Sequence, residues 1–166
     1  MFIVVITITL SYVIYRFVKK SSNNGQLQLI ALLPILIMGL IVYPALYPNE
    51  DFYRDEFSEV SGLKLPERAE FKFKTASYPD HFGDYASAIV IKVDSSFYNK
   101  LPINLSKRGL EENGHKTDSY ELDRAFKYTE HLKIKKEYSK IADNGLYYYV
   151  GLLTDNETII VGKLSW

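Results

Sequence analysis

Asp80, His81, Asp84 and Tyr85 fall within six consecutive positions of the segment SYPDHFGDY, residues 77–85. Two carboxylates and an imidazole on one turn could hold a divalent ion or exchange protons with a substrate, and metal-assisted hydrolysis is the chemistry they would support. Their spacing matches no metal-ligand signature, and Pro79, Gly83 and the aspartates are residues that turns select for backbone reasons. The plainer reading is therefore a turn with an exposed histidine. His115 and His131 stand alone. The chain has no GxSxG, HExxH, phosphate-binding or dinucleotide-binding motif. We expect a protein that is not an enzyme, with no catalytic residue, no metal ligand and no cofactor.

A second group is Tyr147, Tyr148 and Tyr149. A strand carrying three successive tyrosines must send at least one to each face of its sheet. Tyrosine joins a large apolar area to a polar tip and is enriched at protein interfaces. Asp80, His81, Asp84, Tyr85, Tyr147, Tyr148 and Tyr149 are thus the candidate partner-binding residues. Lys133, Lys135, Lys136 and Lys140 could meet an acidic partner or anionic lipid, but Glu130 and Glu137 among them suit a solvated face.

Two unlike pieces must position these groups. The 166-residue chain carries 20 basic and 20 acidic residues, yet every acidic one lies at Glu50 or later. Residues 1–49 hold three charges, Arg16, Lys19 and Lys20, and the remainder has a net charge of −3. Such a balance excludes a dedicated nucleic-acid binder. The absence of cysteine excludes disulfides, thiol catalysis, cysteine-zinc sites and a cysteine-linked lipid anchor.

The front piece has two apolar runs, 2–18 and 29–47, around the polar loop 19–28. Their lengths predict a two-helix transmembrane hairpin. The basic residues near the loop place it in the cytoplasm, because positive charge is retained on that side. The expected location is then a bacterial inner membrane, crossed twice, with both termini and a periplasmic domain outside the cytoplasm.

Residues 50–61 read as a charged connector, helical over part of its length, and 62–166 as a small α+β domain with a mostly antiparallel sheet. AEFKFKT (69–75) alternates, with Ala69, Phe71 and Phe73 on one face. YASAIVIKV (85–93) suits a central strand. DSSFYNKL (94–101) predicts a short capped helix stopped by Pro102, followed by a long loop over 103–119. Residues 120–142 support either a helix or a strand. LYYYVGLL (146–153) and TIIVGKL (158–164) flank Asp155-Asn156 as a hairpin.

The stretch GLKLPERAEFKFKTASYPDHFGDYASAIVIKVDSSFYNKL (62–101) resembles a pattern found in small bacterial envelope proteins of unknown function. The closing YYYVGLLTDNETIIVGKL resembles their last hairpin. Some such proteins are similar to immunity proteins encoded beside secreted antibacterial toxins. The resemblance implies a membrane-anchored protein-binding module that neutralises a toxin at the envelope, with a protein partner and the lipid bilayer as its surroundings. A structural subunit of a larger membrane complex is the alternative, and a metal-assisted hydrolase a third reading.

Overall fold

A computed structural model of the protein describes residues 2–21, 29–77, 84–114 and 117–165. The chain divides into two compact units, 1–47 and 48–166.

In the first unit, α1 (Phe2–Ser21) packs against a 3-10 turn (Leu29–Leu32) and α2 (Leu33–Leu46). The uncharged part of α1 is Phe2–Tyr15, fourteen residues, before Arg16 interrupts it. The second apolar run is split, because its first residues take the 3-10 turn and leave an α-helix of 14 residues. Pro34 sits in the first turn of α2, where its missing N–H costs nothing. Fourteen residues reach about 21 Å, against a hydrocarbon core about 30 Å thick. Among the described residues, no helix is long and apolar enough to cross a membrane. This overturns the expected transmembrane hairpin, its spans at 2–18 and 29–47, and the two-pass inner-membrane placement with a periplasmic domain. Residues 22–28, most of the expected cytoplasmic loop, lie outside the described residues.

The second unit is α+β. Its sheet is six-stranded and antiparallel, with spatial order β1-β2-β6-β5-β4-β3. The strands are β1 (Glu70–Ala76), β2 (Ala86–Lys92), β3 (Glu111–Glu112), β4 (Ile134–Ile141), β5 (Tyr147–Leu153) and β6 (Thr158–Leu164). The helices are α3 (Glu50–Ser61), α4 (Ser95–Lys107) and α5 (Tyr120–Tyr128).

The segment read as a connector is α3. The Asn49 side chain accepts the Phe52 N–H at 3.0 Å, and Glu50 and Asp51 suit the positive end of the helix. Gly62 ends it at φ 72°, a left-handed conformation that glycine adopts without strain. Tyr53, Phe57 and Val60, at helical spacing, are buried.

Together with α4, this helix covers one face of the sheet, where Leu101, Leu105, Ile89, Ile91, Val150, Leu152, Ile159 and Val161 meet. On the opposite face, α5 packs Leu122 and Ala125 over Ala88, Val90 and Ile160. The two cores explain why β2, β5 and β6 are apolar on both sides.

Three sequence expectations change. First, β1 does not keep its phenylalanines on one face. A bulge between Phe71 and Phe73 pairs them with adjacent residues, Ile91 and Val90. Phe71 joins the core under α3 and α4, and Phe73 the core under α5. Second, Pro102 does not stop α4, which continues to Lys107, so that the end of this helix and β3 occupy part of the expected loop 103–119. Proline removes one hydrogen bond, but complete burial of Leu101 and Leu105 holds the helix together across it. Third, 120–142 is a helix and then a strand, so both periodicities read there are real. The β5–β6 hairpin forms as expected: Asp155 accepts the N–H groups of Glu157 and Thr158, and Asn156 takes φ 59°.

Candidate functional site

Of the turn group, Asp80 and His81 lie outside the described residues, as do Tyr78 and His115. Asp84 is half-buried just ahead of β2. Tyr85 enters a polar cluster between α3 and the sheet.

At the centre of that cluster is Lys163, on β6. Its Nζ lies 3.1 Å from Glu56 Oε1 and 2.6 Å from Glu59 Oε2, two carboxylates one turn apart on α3. Tyr85 donates to Glu56 Oε1 at 3.0 Å and Ser87 to Glu56 Oε2 at 2.8 Å. Tyr148 donates to Glu59 Oε1 at 2.9 Å, and Arg108 donates twice to the Glu59 carbonyl. Lys163 also stands 5.4 Å from the centre of the Tyr85 ring.

Burial pushes the Tyr85 phenol up to about 12, against the pull of the Lys163 charge. For Lys163, burial favours loss of the proton, but the bonds to Glu59, Tyr85 and Glu56 outweigh it and hold the ammonium above its ordinary value. Burial likewise opposes the Glu59 charge, and hydrogen bonds from Lys163 and Tyr148 outweigh that and hold its carboxyl below the usual range. A lysine held charged is not an amine nucleophile at neutral pH. The cluster fastens α3 to the sheet.

Strand geometry divides the three tyrosines as expected. Tyr148 faces the cluster, while Tyr147 and Tyr149 face the α5 side. All are buried, at 1, 5 and 4 % exposure in chain order. The Tyr149 hydroxyl donates to Glu137 Oε2 at 3.3 Å, and burial drives its pKa upward, with Glu137 adding to the shift. The ring meets Phe126 edge-to-face at 5.6 Å. Between α5 and the β4–β5 pair lies a cavity of about 160 Å3, lined by Thr117, Asp118, Leu122, Phe126, Ile134, Glu137, Tyr147 and Tyr149.

Outside α5 is an exposed group that sequence reasoning passed over. The Arg124 guanidinium lies 5.4 Å from the Phe73 ring centre and 5.7 Å from that of Tyr120. Tyr128 stacks on Phe73 at 5.3 Å. Arg124 also donates to Thr75 Oγ1 at 3.0 Å, so the guanidinium is fixed in place. Tyr120 is 71 % exposed and Tyr128 46 %. A shallow groove bounded by these side chains, Asp123 and Lys127 runs along the helix. The signal was present as Tyr120, Arg124 and Tyr128 at i, i+4 and i+8, the face opposite the apolar one.

The lysines of β4 have local partners: Lys135 bonds Asn156, Lys136 bonds Glu112 and Lys140 bonds the Arg108 carbonyl. Among the described residues, no three His, Cys, Asp or Glu side chains stand together closely enough to hold a metal ion. Comparison with protein-family models, with curated proteins and with solved structures finds no match to this chain.

Proposed function

We propose that the chain is a protein-binding module of the inhibitor or immunity type, and that it grips its partner with the outer face of α5. The observation that carries this reading is the ordered aromatic–arginine group of Phe73, Tyr120, Arg124 and Tyr128. Tyrosine and arginine are enriched among the few residues that dominate the energy of protein interfaces. Here the guanidinium is held by two rings and a hydroxyl before any partner arrives. Side chains already ordered lose less entropy on association. The matching partner surface presents apolar side chains to the rings and a carboxylate to Arg124. A secreted toxin is the partner class that the resemblance in 62–101 suggests.

The test is protection. Cells expressing the full chain together with each protein encoded beside its gene should survive where one of those proteins is toxic. The Tyr120→Ala/Arg124→Ala double variant, matched to the parent by circular dichroism, should lose both protection and co-purification. Protection by that folded variant at the parental level would sink the reading.

A further inference from the structure

The first unit inverts the pattern of a helix pair in water. On α1 the positions turned inward include Thr7, Ser11, Ile14 and Val18, at helical spacing. Ser11 is buried, and its hydroxyl has no hydrogen-bond partner among the described residues. Ile8, Leu10, Val13 and Phe17 are exposed. In water the hydrophobic effect favours the opposite arrangement. Between helices in lipid, small and hydroxyl-bearing residues line the contact and hydrocarbon faces out.

On α2 the exposed side chains include Leu33, Ile35, Leu36, Ile37, Leu40 and Tyr43. Ile35, Leu36 and Ile37 are consecutive and about 100° apart, so the exposed apolar arc spans roughly 200°. Between Leu32 and Leu40 only Pro34 and Met38 are partly buried. The stripe by which a helix docks on protein is typically on the order of 100° wide. An arc about twice as wide calls for surroundings that are themselves apolar. The charges sit at one end. Arg16, Lys19 and Lys20 are exposed at i, i+3 and i+4 on α1, and residues 1–49 hold no acidic side chain. Basic groups in a last turn complement the helix dipole, but that does not explain the absence of acid from the whole unit. Apolar surface beside a cationic cluster is the pair of signals that holds a protein on anionic lipid. The dimensions agree. An apolar helix of 14 residues has the length of an interfacial element. It is about 10–12 Å across with its side chains, and one leaflet supplies half of a hydrocarbon core about 30 Å thick.

We propose that the first unit lies within a single leaflet of an anionic lipid bilayer, immersed among the acyl chains without crossing to the other side. The exposed arc of α2 and the outer side of α1 meet hydrocarbon. Arg16, Lys19 and Lys20 stay at the phosphate headgroups. This surface shares no residue with the outer face of α5, so the two readings stand or fall separately.

Flotation of the full chain with preformed vesicles tests it, using phosphatidylcholine alone and phosphatidylcholine mixed with phosphatidylglycerol. Binding to the anionic vesicles is expected to be about tenfold tighter or more. Lys19→Gln/Lys20→Gln should remove most of that preference. Leu36→Asn/Leu40→Asn, at exposed positions, should weaken binding to both compositions by about tenfold or more. The chain has no cysteine, so Lys20→Cys and Asp51→Cys each introduce a single thiol. A membrane-impermeant maleimide added outside the vesicles should modify both on the bound protein. Protection of Lys20→Cys with labelling of Asp51→Cys would mean that the chain crosses the bilayer, and would overturn the single-leaflet placement. Full chain that dimerises and leaves anionic vesicles unbound would make a second copy the occupant of this surface and overturn the proposal. Binding indifferent to Leu36→Asn/Leu40→Asn would overturn it as well.

Discussion

Glu56 Oε1 and Lys163 Nζ meet at 3.1 Å, although 107 residues separate them in the chain. Both side chains are more than nine-tenths buried. An ion pair in such a place gains specificity rather than much net stability, since each charge must first leave water. Removing one partner is a different matter. Lys163→Met would leave the Glu56 carboxylate buried with only the Tyr85 and Ser87 hydroxyls to satisfy it. The expected cost is about 3–5 kcal/mol in urea unfolding. The Glu56→Gln/Lys163→Met double variant, which removes both charges, should recover a large part of it. A single variant with parental stability would show that the pair does not hold α3 in solution.

The same cluster makes stability fall at both ends of the pH scale. Glu59 is held below the usual 4.5, so its contribution is complete above that value and is lost as pH falls through the lower folded pKa. Lys163 is held above 10.5, so its contribution is complete below that value and is lost as pH rises through the higher folded pKa. Tyr85 acts in the same direction as Lys163. Its folded pKa of about 12 against an ordinary 10 means that the native state keeps a proton that the unfolded chain gives up. Stability should therefore be flat through neutrality and decline above about pH 10. Tyrosinate absorbance of the folded protein should show a late fraction near pH 12, reduced in Tyr85→Phe. Complete titration of all tyrosines by pH 11 would contradict this account.

Local patterns carried much of this fold into view. Two apolar runs around Asp155-Asn156 marked the β5–β6 hairpin, and the Asp94-Ser95 pair marked the start of α4, where the Asp94 carboxylate accepts the Phe97 N–H. What alternation cannot show is the bulge that turns Phe73 to the other face, because a bulge changes pairing and leaves the sequence period intact. Apolar length also misled at the front of the chain, where the 3-10 turn at Leu29–Leu32 divides a run that is continuous in hydropathy. The site residues were legible in part. Tyr85 and the three tyrosines of β5 were singled out, but the carboxylates that Tyr85 and Tyr148 bond come from α3, far away in sequence. No local spacing records a contact of that kind. Tyr120, Arg124 and Tyr128 were legible as a helical stripe, and were obscured by the competing strand reading of the same region.

Pro102 gives a test in the stabilising direction. It sits inside α4 and removes the hydrogen bond that an N–H at that position would donate to the preceding turn. Pro102→Ala restores the donor in a helix whose neighbouring Leu101 and Leu105 are already anchored. Proline also restrains the unfolded chain, which offsets part of the gain by roughly 0.4–1 kcal/mol. A net stabilisation of about 1–2 kcal/mol is expected from denaturant midpoints at constant m-value. A loss of stability would mean that the proline ring fills space in the core that alanine cannot.

Gly162 tests the packing of α5 directly. It lies on β6 opposite Ala88 of β2 and Tyr149 of β5, in the middle of the sheet face that the helix covers. A methyl group there would come within 2.6 Å of Leu122 Cδ2 and 3.0 Å of its Cγ. Leu122 is buried and cannot swing into solvent, so the helix itself must lift. Gly162→Ala should cost about 1–3 kcal/mol, the usual penalty of overpacking. Leu122→Ala alone should also destabilise, by the 2–5 kcal/mol or so typical of a leucine truncated in a core. The double variant is the decisive measurement. Placing the methyl where the leucine side chain was removed should make the two changes less costly together than their sum, by about 1 kcal/mol or more. Strict additivity would show that α5 does not press on the sheet at Gly162.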